Sequence, residues 1–357
     1  MRNFFLVVLL FSVVEIYSQE ATVVISGLSE PSNSVQVGND LYFTQSDFQS
    51  FTNGKLSRID ITEATPNVID IFTGFTDLPG AIISNDDELI FAEQSTIYRT
   101  DISESTPQLE IIFQFPQNGT FAIEGLDRFG NDLYIADSFN GVIAKIDLTE
   151  SNPQVDTILI GLAGPTSILI EGDNAYFTEL LANTVSRFNI NDVNPVPEII
   201  GTNFIEPYSL ALSGNDLYVS EFAGNKISYI DLTQNTPIMP LDFALGLSSP
   251  LGLNLEGNTL YFSEPFNGTI SQIGLSVVSA DDVLTNNRLN IFPNPASSFI
   301  EIQGMREHEH YRIINALGQM VKSGRVKNNE QINISNLDNG FYKILIDNQI
   351  PYSLIKN

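Results

Sequence analysis

Three observations predict an all-β chain: a six-bladed β-propeller closed by its N-terminal strand, then a small Ig-like β-sandwich. One phrase recurs, as GNDLYIADSFNGVIAKIDL at 130–148, GNDLYVSEFAGNKISYIDL at 214–232 and GNTLYFSEPFNGTISQIGL at 257–275. The residue after each Asn/Asp turn (Leu41, Leu89, Leu133, Ala175, Leu217, Leu260) repeats at steps of 48, 44, 42, 42 and 43. A period in the low forties is that of a propeller blade of four strands. Finally, Gly, Pro and Asn interrupt the chain about every ten residues and no unit carries the 3.6-residue apolar period, which argues against a helical solenoid.

In chain order, residues 1–18 read as a signal peptide. Arg2 gives the positive start, Phe4 to Val14 an apolar run too short to span a bilayer, and Ser18 a small residue before the cleavage point. Glu15 is an unusual intrusion. The propeller is expected over 19–275. Its unit is clearest at 207–245, where PYSLALS, LYVSE, KISYIDL and MPLDFAL are four strands parted by GND, FAGN and TQNTP. Turn residues fall at one phase, where hairpins need positive φ. The strands are β-branched, aromatic or Leu, which suits sheets covered on both faces. The sixth unit ends at Leu275 without an outer strand. ATVVISGLSEPSNSVQV (21–37) resembles DTILIGLAGPTSILI (156–170), so Thr22 to Gly27 is expected to complete the last blade and Ser34 to Val37 to begin the first. Residues 276–287 read as a linker and 288–357 as a second domain, with alternating strands parted by Gly and Asn turns.

Composition narrows the function. With no Cys there is no disulfide framework and no thiolate metal site. The formal charge of -27 repels nucleic acid and anionic membranes. Residues 19–280 hold 7 basic and 34 acidic side chains and residues 281–357 hold 8 of each, so the acidity belongs to the propeller. It suits a cationic, neutral or metal-bridged partner, and it also serves solubility. No later stretch reads as a transmembrane helix.

The units LYFTELLANTVSRFNI and LYVSEFAGNKISYIDL resemble repeats of NHL-like, streptogramin-lyase-like and gluconolactonase-like propellers. The tail segments LNIFPNPASSFIEI, YRIINALGQMVKSG and INISNLDNGFYKILI resemble the C-terminal sorting domain of type IX secretion substrates of Bacteroidota. The carrying features are Pro293-Asn294-Pro295, the Gly318 turn, the L-x-x-G-x-Y at 337–342 and Lys356 near the end. That resemblance implies export through the type IX machinery, removal of the tail, and a product secreted or held at the cell surface.

In a propeller, the loops before the inner strands and those joining second to third strands share one face. There the sequence gathers Asp47, Asp77, Glu124 and Glu206 beside Phe48, Phe51, Phe75, Phe121, Phe139, Tyr208, Phe222 and Phe266. These aromatics are the candidate ligand-binding residues. One phase reads Gln45, Glu93, Asp137, Glu179, Glu221 and Glu264. The five acids admit two readings: oxygen ligands for calcium, or carboxylates that accept backbone N–H groups and hold their own turns. Asp60, Asp147 and Asp231 read as turn caps at another phase. The only histidines, His308 and His310, lie in the tail, so the histidine acid of streptogramin-type lyases and a Ser–His–Asp triad are both missing from the propeller. Glu124 stands where sibling blades have Ser or Gly. With Asn118 and Asp137 it approximates the metal set that gluconolactonase-like enzymes imply, and it is the candidate catalytic residue; a solvated channel acid is the plain alternative. No cofactor is assigned beyond calcium at the acids. The sequence favours a binding propeller with an unidentified glycan, peptide or protein ligand over a metal-dependent lactonase or lyase-like enzyme, or a purely structural surface protein.

Overall fold

The computed structural model describes residues 21–47, 52–76, 79–116, 121–275, 290–303, 309–315, 320–346 and 352–357. The expected signal peptide and linker lie outside them. The chain divides into two compact units, Met1–Leu275 and Ser276–Asn357. Among the described residues no helix is long and apolar enough to cross a membrane.

The first unit opens with β1 (Thr22–Ser26). Blade 1 is β2 to β5 (Pro31–Val37, Asp40–Asp47, Thr52–Asp60, Ile69–Phe75), and blade 2 is β6 to β9 (Pro79–Asn85, Glu88–Glu93, Thr96–Asp101, Glu110–Gln114). Blade 3 is β10 to β13 (Ile123–Phe129, Asp132–Asp137, Val142–Asp147, Asp156–Ile160), and blade 4 is β14 to β17 (Ile168–Glu171, Asn174–Glu179, Thr184–Asn189, Glu198–Thr202). Blade 5 is β18 to β21 (Pro207–Ser213, Asp216–Glu221, Lys226–Asp231, Leu241–Leu245). Blade 6 takes β22 to β24 (Leu253–Glu256, Thr259–Glu264, Thr269–Gly274) and completes its sheet with β1, in the order β1-β24-β23-β22. Thr22 faces Gln272 and Ser26 faces Thr269, antiparallel. The N-terminal strand thus supplies the expected outer strand of the last blade. Blades 6 and 1 also meet at their inner strands, where Gly252 N–H donates to Ser32 C=O (3.2 Å) and the Ser263 hydroxyl donates to the same carbonyl.

The inner hairpins turn on Gly38, Gly130, Gly172, Gly214 and Gly257, all with φ between 56° and 61°. Blade 2 has Asp86 there at φ 53°, and Asp tolerates this left-handed region better than most residues. Each second strand is buried along almost its whole length because a neighbouring blade covers either face. Phe43, Phe91, Phe177 and Phe262 sit at one phase of these strands and are essentially inaccessible. Each such side chain contributes roughly 2–3 kcal/mol by its burial. Inner strands approach closely: a Cβ on Gly125 would stand 2.8 Å from Ser167 Cα of the next blade.

A buried hydroxyl stitches several blades to the next one. Thr44, Thr178 and Ser220 donate to Gly80, Tyr208 and Leu251 carbonyls at 3.2, 3.2 and 2.6 Å, as Ser263 does to Ser32. Blades 2 and 3 have Ala92 and Ala136 at that phase.

In the second unit, β25 (Asn290–Phe292), β26 (Phe299–Gln303) and β29 (Gln331–Asn333) form one sheet. The other has the order β28 (Met320–Val326), β27 (Glu309–Asn315), β30 (Gly340–Ile346) and β31 (Tyr352–Lys356). Ile300, Ile302, Ile313, Ile332, Ile344 and Leu354 share a single core.

Candidate functional site

The recurring acids shape the loops around them. Each accepts an N–H of the loop crossing in from the preceding blade. Ser29 donates to Gln45 (3.1 Å), Thr76 to Glu93 (2.6 Å), Ala122 to Asp137 (3.2 Å), Ala163 to Glu179 (2.9 Å), Ile205 to Glu221 (2.7 Å) and Ser248 to Glu264 (2.7 Å). The remaining oxygen turns to a side chain of the same blade. Ser186 donates to Glu179 (3.3 Å), Ser271 to Glu264 (3.2 Å), Ser228 to Glu221, and Tyr98 to Glu93 (3.2 Å). The structure keeps the five acids in five separate blades. Among the described residues no three His, Asp or Glu side chains gather as a metal site.

Blade 1 shows why its member of the series is an amide. The Ser57 hydroxyl donates to Asp70 (2.8 Å), so it has no proton left for a carboxylate. Gln45 instead donates its Nε2 to Ser57 (2.9 Å). Asp60, Asp147 and Asp231 each accept the amide and hydroxyl of the Thr two residues on, at 2.6–2.9 Å. These exposed bonds hold the three carboxyls below their ordinary range, the hydroxyl bond being the larger cause.

The face that carries the crossing loops has its own frame. Glu206 and Ser249 each precede a proline and adopt left-handed backbone, φ 52° and 48°. Their N–H groups donate to Asn183 (2.9 Å) and Asn225 (3.0 Å) of the preceding blade. This backbone costs energy for non-glycine residues and persists only when neighbours fix it.

On this face Phe139, Leu181, Ile205 and Phe266 are 66%, 74%, 49% and 60% exposed. Phe222 lies 5.8 Å from Phe266 and 6.4 Å from Tyr208, ring to ring, so an aromatic row runs inward across blades 6 and 5. At its inner end the Tyr208 hydroxyl donates to Glu124 of blade 3 at 2.5 Å. Burial first, and then the Glu124 charge and hydrogen bond, raise the Tyr208 phenol well above its ordinary pKa. The pair stands at a central cavity of about 250 Å³, lined by Asn33, Ser84, Glu124, Asp127, Ser167 and Tyr208 among others, with no cationic side chain among the described residues that line it. Asp127 accepts the N–H of Ile170 (2.6 Å) and of Arg128 (2.7 Å), yet burial lifts its pKa to about 6.

Several sequence candidates lie elsewhere. Phe75 is not on the rim. It pairs with Gly54 at the end of an outer strand and packs between blades 1 and 2, 5.5 Å from Phe91 and 5.6 Å from Tyr98. Phe121 is half-buried 4.6 Å from Phe115. Phe48, Phe51, Asp77 and Asn118 fall outside the described residues. Asp137, proposed beside Glu124, is held by Ala122 N–H, Asn140 N–H (3.2 Å) and Asn140 Nδ2 (2.6 Å). The sequence reading missed Leu181 and Ile205. Both stand at the loop phase of the aromatic candidates, a signal that only their aliphatic character obscures.

Residues 290–356 match the secretion system C-terminal sorting domain family. This tail marks the chain for export by type IX secretion, to the cell surface or the medium. No curated protein matches the chain in sequence. Among solved structures, a luciferin-regenerating enzyme superposes with TM-score 0.57 at 11% identity, covering 71% of this chain and 95% of that one. Virginiamycin B lyase from Staphylococcus aureus superposes with TM-score 0.50 at 15% identity, covering 72% and 99%. At such identities the likeness is one of fold, and the fold is the propeller.

Proposed function

We infer that the exported propeller binds an extracellular glycan, peptide or protein on the crossing-loop face that carries Phe139, Leu181, Ile205, Phe222 and Phe266. The observation that carries this reading is the exposure of four large apolar side chains on the crossing-loop face, joined to the aromatic row that ends at Tyr208. Scattered apolar residues are ordinary on surfaces, whereas a set on one face of a rigid scaffold, with an aromatic row leading to a residue that lines a polar cavity, is a recognition feature. The acidic propeller also selects against anionic partners. The test is a binding screen of the mature protein on immobilised neutral and basic oligosaccharides and peptides. The parent should retain at least one probe. Phe222→Ala/Phe266→Ala should lose about tenfold or more in affinity with an unchanged melt. A parent that retains nothing, or a double variant that binds equally, refutes the assignment.

A second reading rests on the Glu124–Tyr208 pair alone. A carboxylate hydrogen-bonded to a raised phenol at a cavity mouth is a workable proton relay for a lyase-like or hydrolytic step. A metal-dependent form would also need Asn118 and Asp137. Turnover of a lactone or ester panel that disappears in Glu124→Gln would favour catalysis. A panel untouched by the parent would remove this reading.

A further inference from the structure

Blade 3 departs from its siblings at two neighbouring phases. Position by position, the third-strand residue opposite Phe43, Phe91, Ile135, Phe177, Val219 and Phe262 is Ser57, Tyr98, Ala144, Ser186, Ser228 and Ser271. Ala144 alone has no hydroxyl. The turn acid beside it is Asp137, one methylene shorter than the Glu or Gln of the other blades.

The neighbouring interface shows what this space holds when filled. Between blades 1 and 2, the Tyr98 ring packs 5.6 Å from Phe75 and stacks 5.3 Å from Phe91, and its hydroxyl donates to Glu93. Between blades 2 and 3, Phe115 takes the place of Phe75. Phe75 ends β5 opposite Gly54 of β4, and at the matching phase Phe115 directly follows β9 and donates its N–H to Ser95 C=O, just before β8. Ile135 takes the place of Phe91, and Ala144 puts a methyl where Tyr98 puts a phenol.

The result is a cleft of about 580 Å³. Its walls are Phe113, Phe115, Phe121, Ile135, Val142 and Ala144, and polar groups of Asp137, Asn140, Gln154 and Thr157 also line it. Phe115 lies 4.8 Å from Phe113 and 4.6 Å from Phe121, so the aromatic wall is continuous. The volume is that of a small-molecule pocket.

We propose that this cleft is a binding site for a phenol-type small molecule, whose ring takes the place that Tyr98 fills in the adjacent interface. Its hydroxyl finds acceptors in the Asp137 carboxylate and the neighbouring amides, as the Tyr98 hydroxyl does at Glu93. A saturated ring would lose the edge and face contacts with the three phenylalanines. An anionic ligand is disfavoured by Asp137. The cleft adjoins the Phe139 turn of the crossing-loop face but shares no lining residue with Phe139, Leu181, Ile205, Phe222 or Phe266, so it stands whether or not those residues bind a ligand.

The test titrates p-cresol and, in parallel, N-acetyltyrosinamide into the mature full chain, followed by ligand-observed NMR. Saturable binding at millimolar concentration or tighter is expected for the parent. Ala144→Tyr places a phenol on the chain itself, so it should keep or raise the melting temperature and weaken probe binding by about tenfold or more. Ala144→Ser, the residue of four siblings, should weaken it less. If the Tyr variant does not fold, Ala144→Leu decides by the same criterion. The tighter of the two probes distinguishes a free phenol from a tyrosyl group. No saturable binding by the parent, or a filled variant that binds as tightly, overturns the proposal.

Discussion

Glu221 and Glu264 occupy one phase of blades 5 and 6, and both are buried. They differ in what stands behind the serine each accepts from. Ser228 faces Asp242 across the strand pair, whereas Ser271 faces Val23. Glu221→Gln would therefore copy a quartet that blade 1 already uses. There Gln45 donates to Ser57, Ser57 donates to Asp70, and Lys55 bonds Asp70 at 2.8 Å. In blade 5 Lys226 already bonds Asp242 at 2.6 Å, so Ser228 can turn its proton to Asp242 and accept from the new amide. The loss is the charge assistance to Ile205 N–H and the 3.4 Å contact to Lys226. That is about 1 kcal/mol or less. Glu264→Gln has no such exit. Its new amide meets the hydroxyls of Thr269 and Ser271, which both donate to Glu264 at 3.3 and 3.2 Å. One buried donor is left without an acceptor, which costs roughly 1–3 kcal/mol. At about 2–4 °C per kcal/mol for a domain of this size, the melting temperature should fall by roughly 2–12 °C, against about 4 °C or less for Glu221→Gln. Thermal melts at neutral pH measure both. Equal losses, or a larger loss in Glu221→Gln, would refute the reasoning. The same melts with calcium and with chelator should coincide, because each acid is already engaged by a crossing-loop N–H and stands in a different blade from the others. A calcium-dependent rise that shrinks in both variants would favour an ion among the acids instead.

Asp127 gives a pH signature. Its folded pKa of about 6 lies above the ordinary carboxylate value of 3.8, so the native state holds the proton more tightly. Its contribution to stability is full below pH ~4 and is lost as pH rises through about 6, by an amount on the order of 3 kcal/mol. The stability difference between Asp127→Asn and the parent should therefore shift in the variant's favour over that window, and a pH-independent difference would exclude this role. Deleting residues 21–27 strips β1 from blade 6 and leaves β24 as an unpaired edge. Aggregation or a large loss in melting temperature is expected, and a secreted protein that melts like the parent would contradict the closure. A chain ending at Ser279 should fold and stay in the periplasm of its native host. Efficient surface delivery of that chain would count against the tail as the export signal.

The amino-acid sequence by itself determined the blades, because a strand needs only local alternation and a turn needs only a residue that tolerates positive φ. Gly38, Gly130, Gly214 and Gly257 announce their hairpins without help from any distant residue. The missing outer strand after Leu275 was equally legible, since the N-terminal segment repeats the pattern that blade 6 lacks. What a side chain touches sideways was decided by the tertiary structure. Phe75 and Phe139 both read as loop aromatics, yet one is clamped between blades by its pairing with Gly54 and the other is 66% exposed. The two readings of the acids could not be separated along the chain either. A carboxylate after a strand looks the same whether it meets four other acids or one N–H, and its partners Thr76, Ile205 and Ser248 come from the loop crossing in from another blade. Tyr208 and Glu124 lie 84 residues apart and meet only because the ring folds blade 5 back toward blade 3. Ala144 was visible as one Ala among serines, but it became a cleft only when Phe115 of the preceding blade was set beside it. Neighbouring blades contribute residues about one repeat apart, and their packing is fixed by closing the ring, which no local window contains.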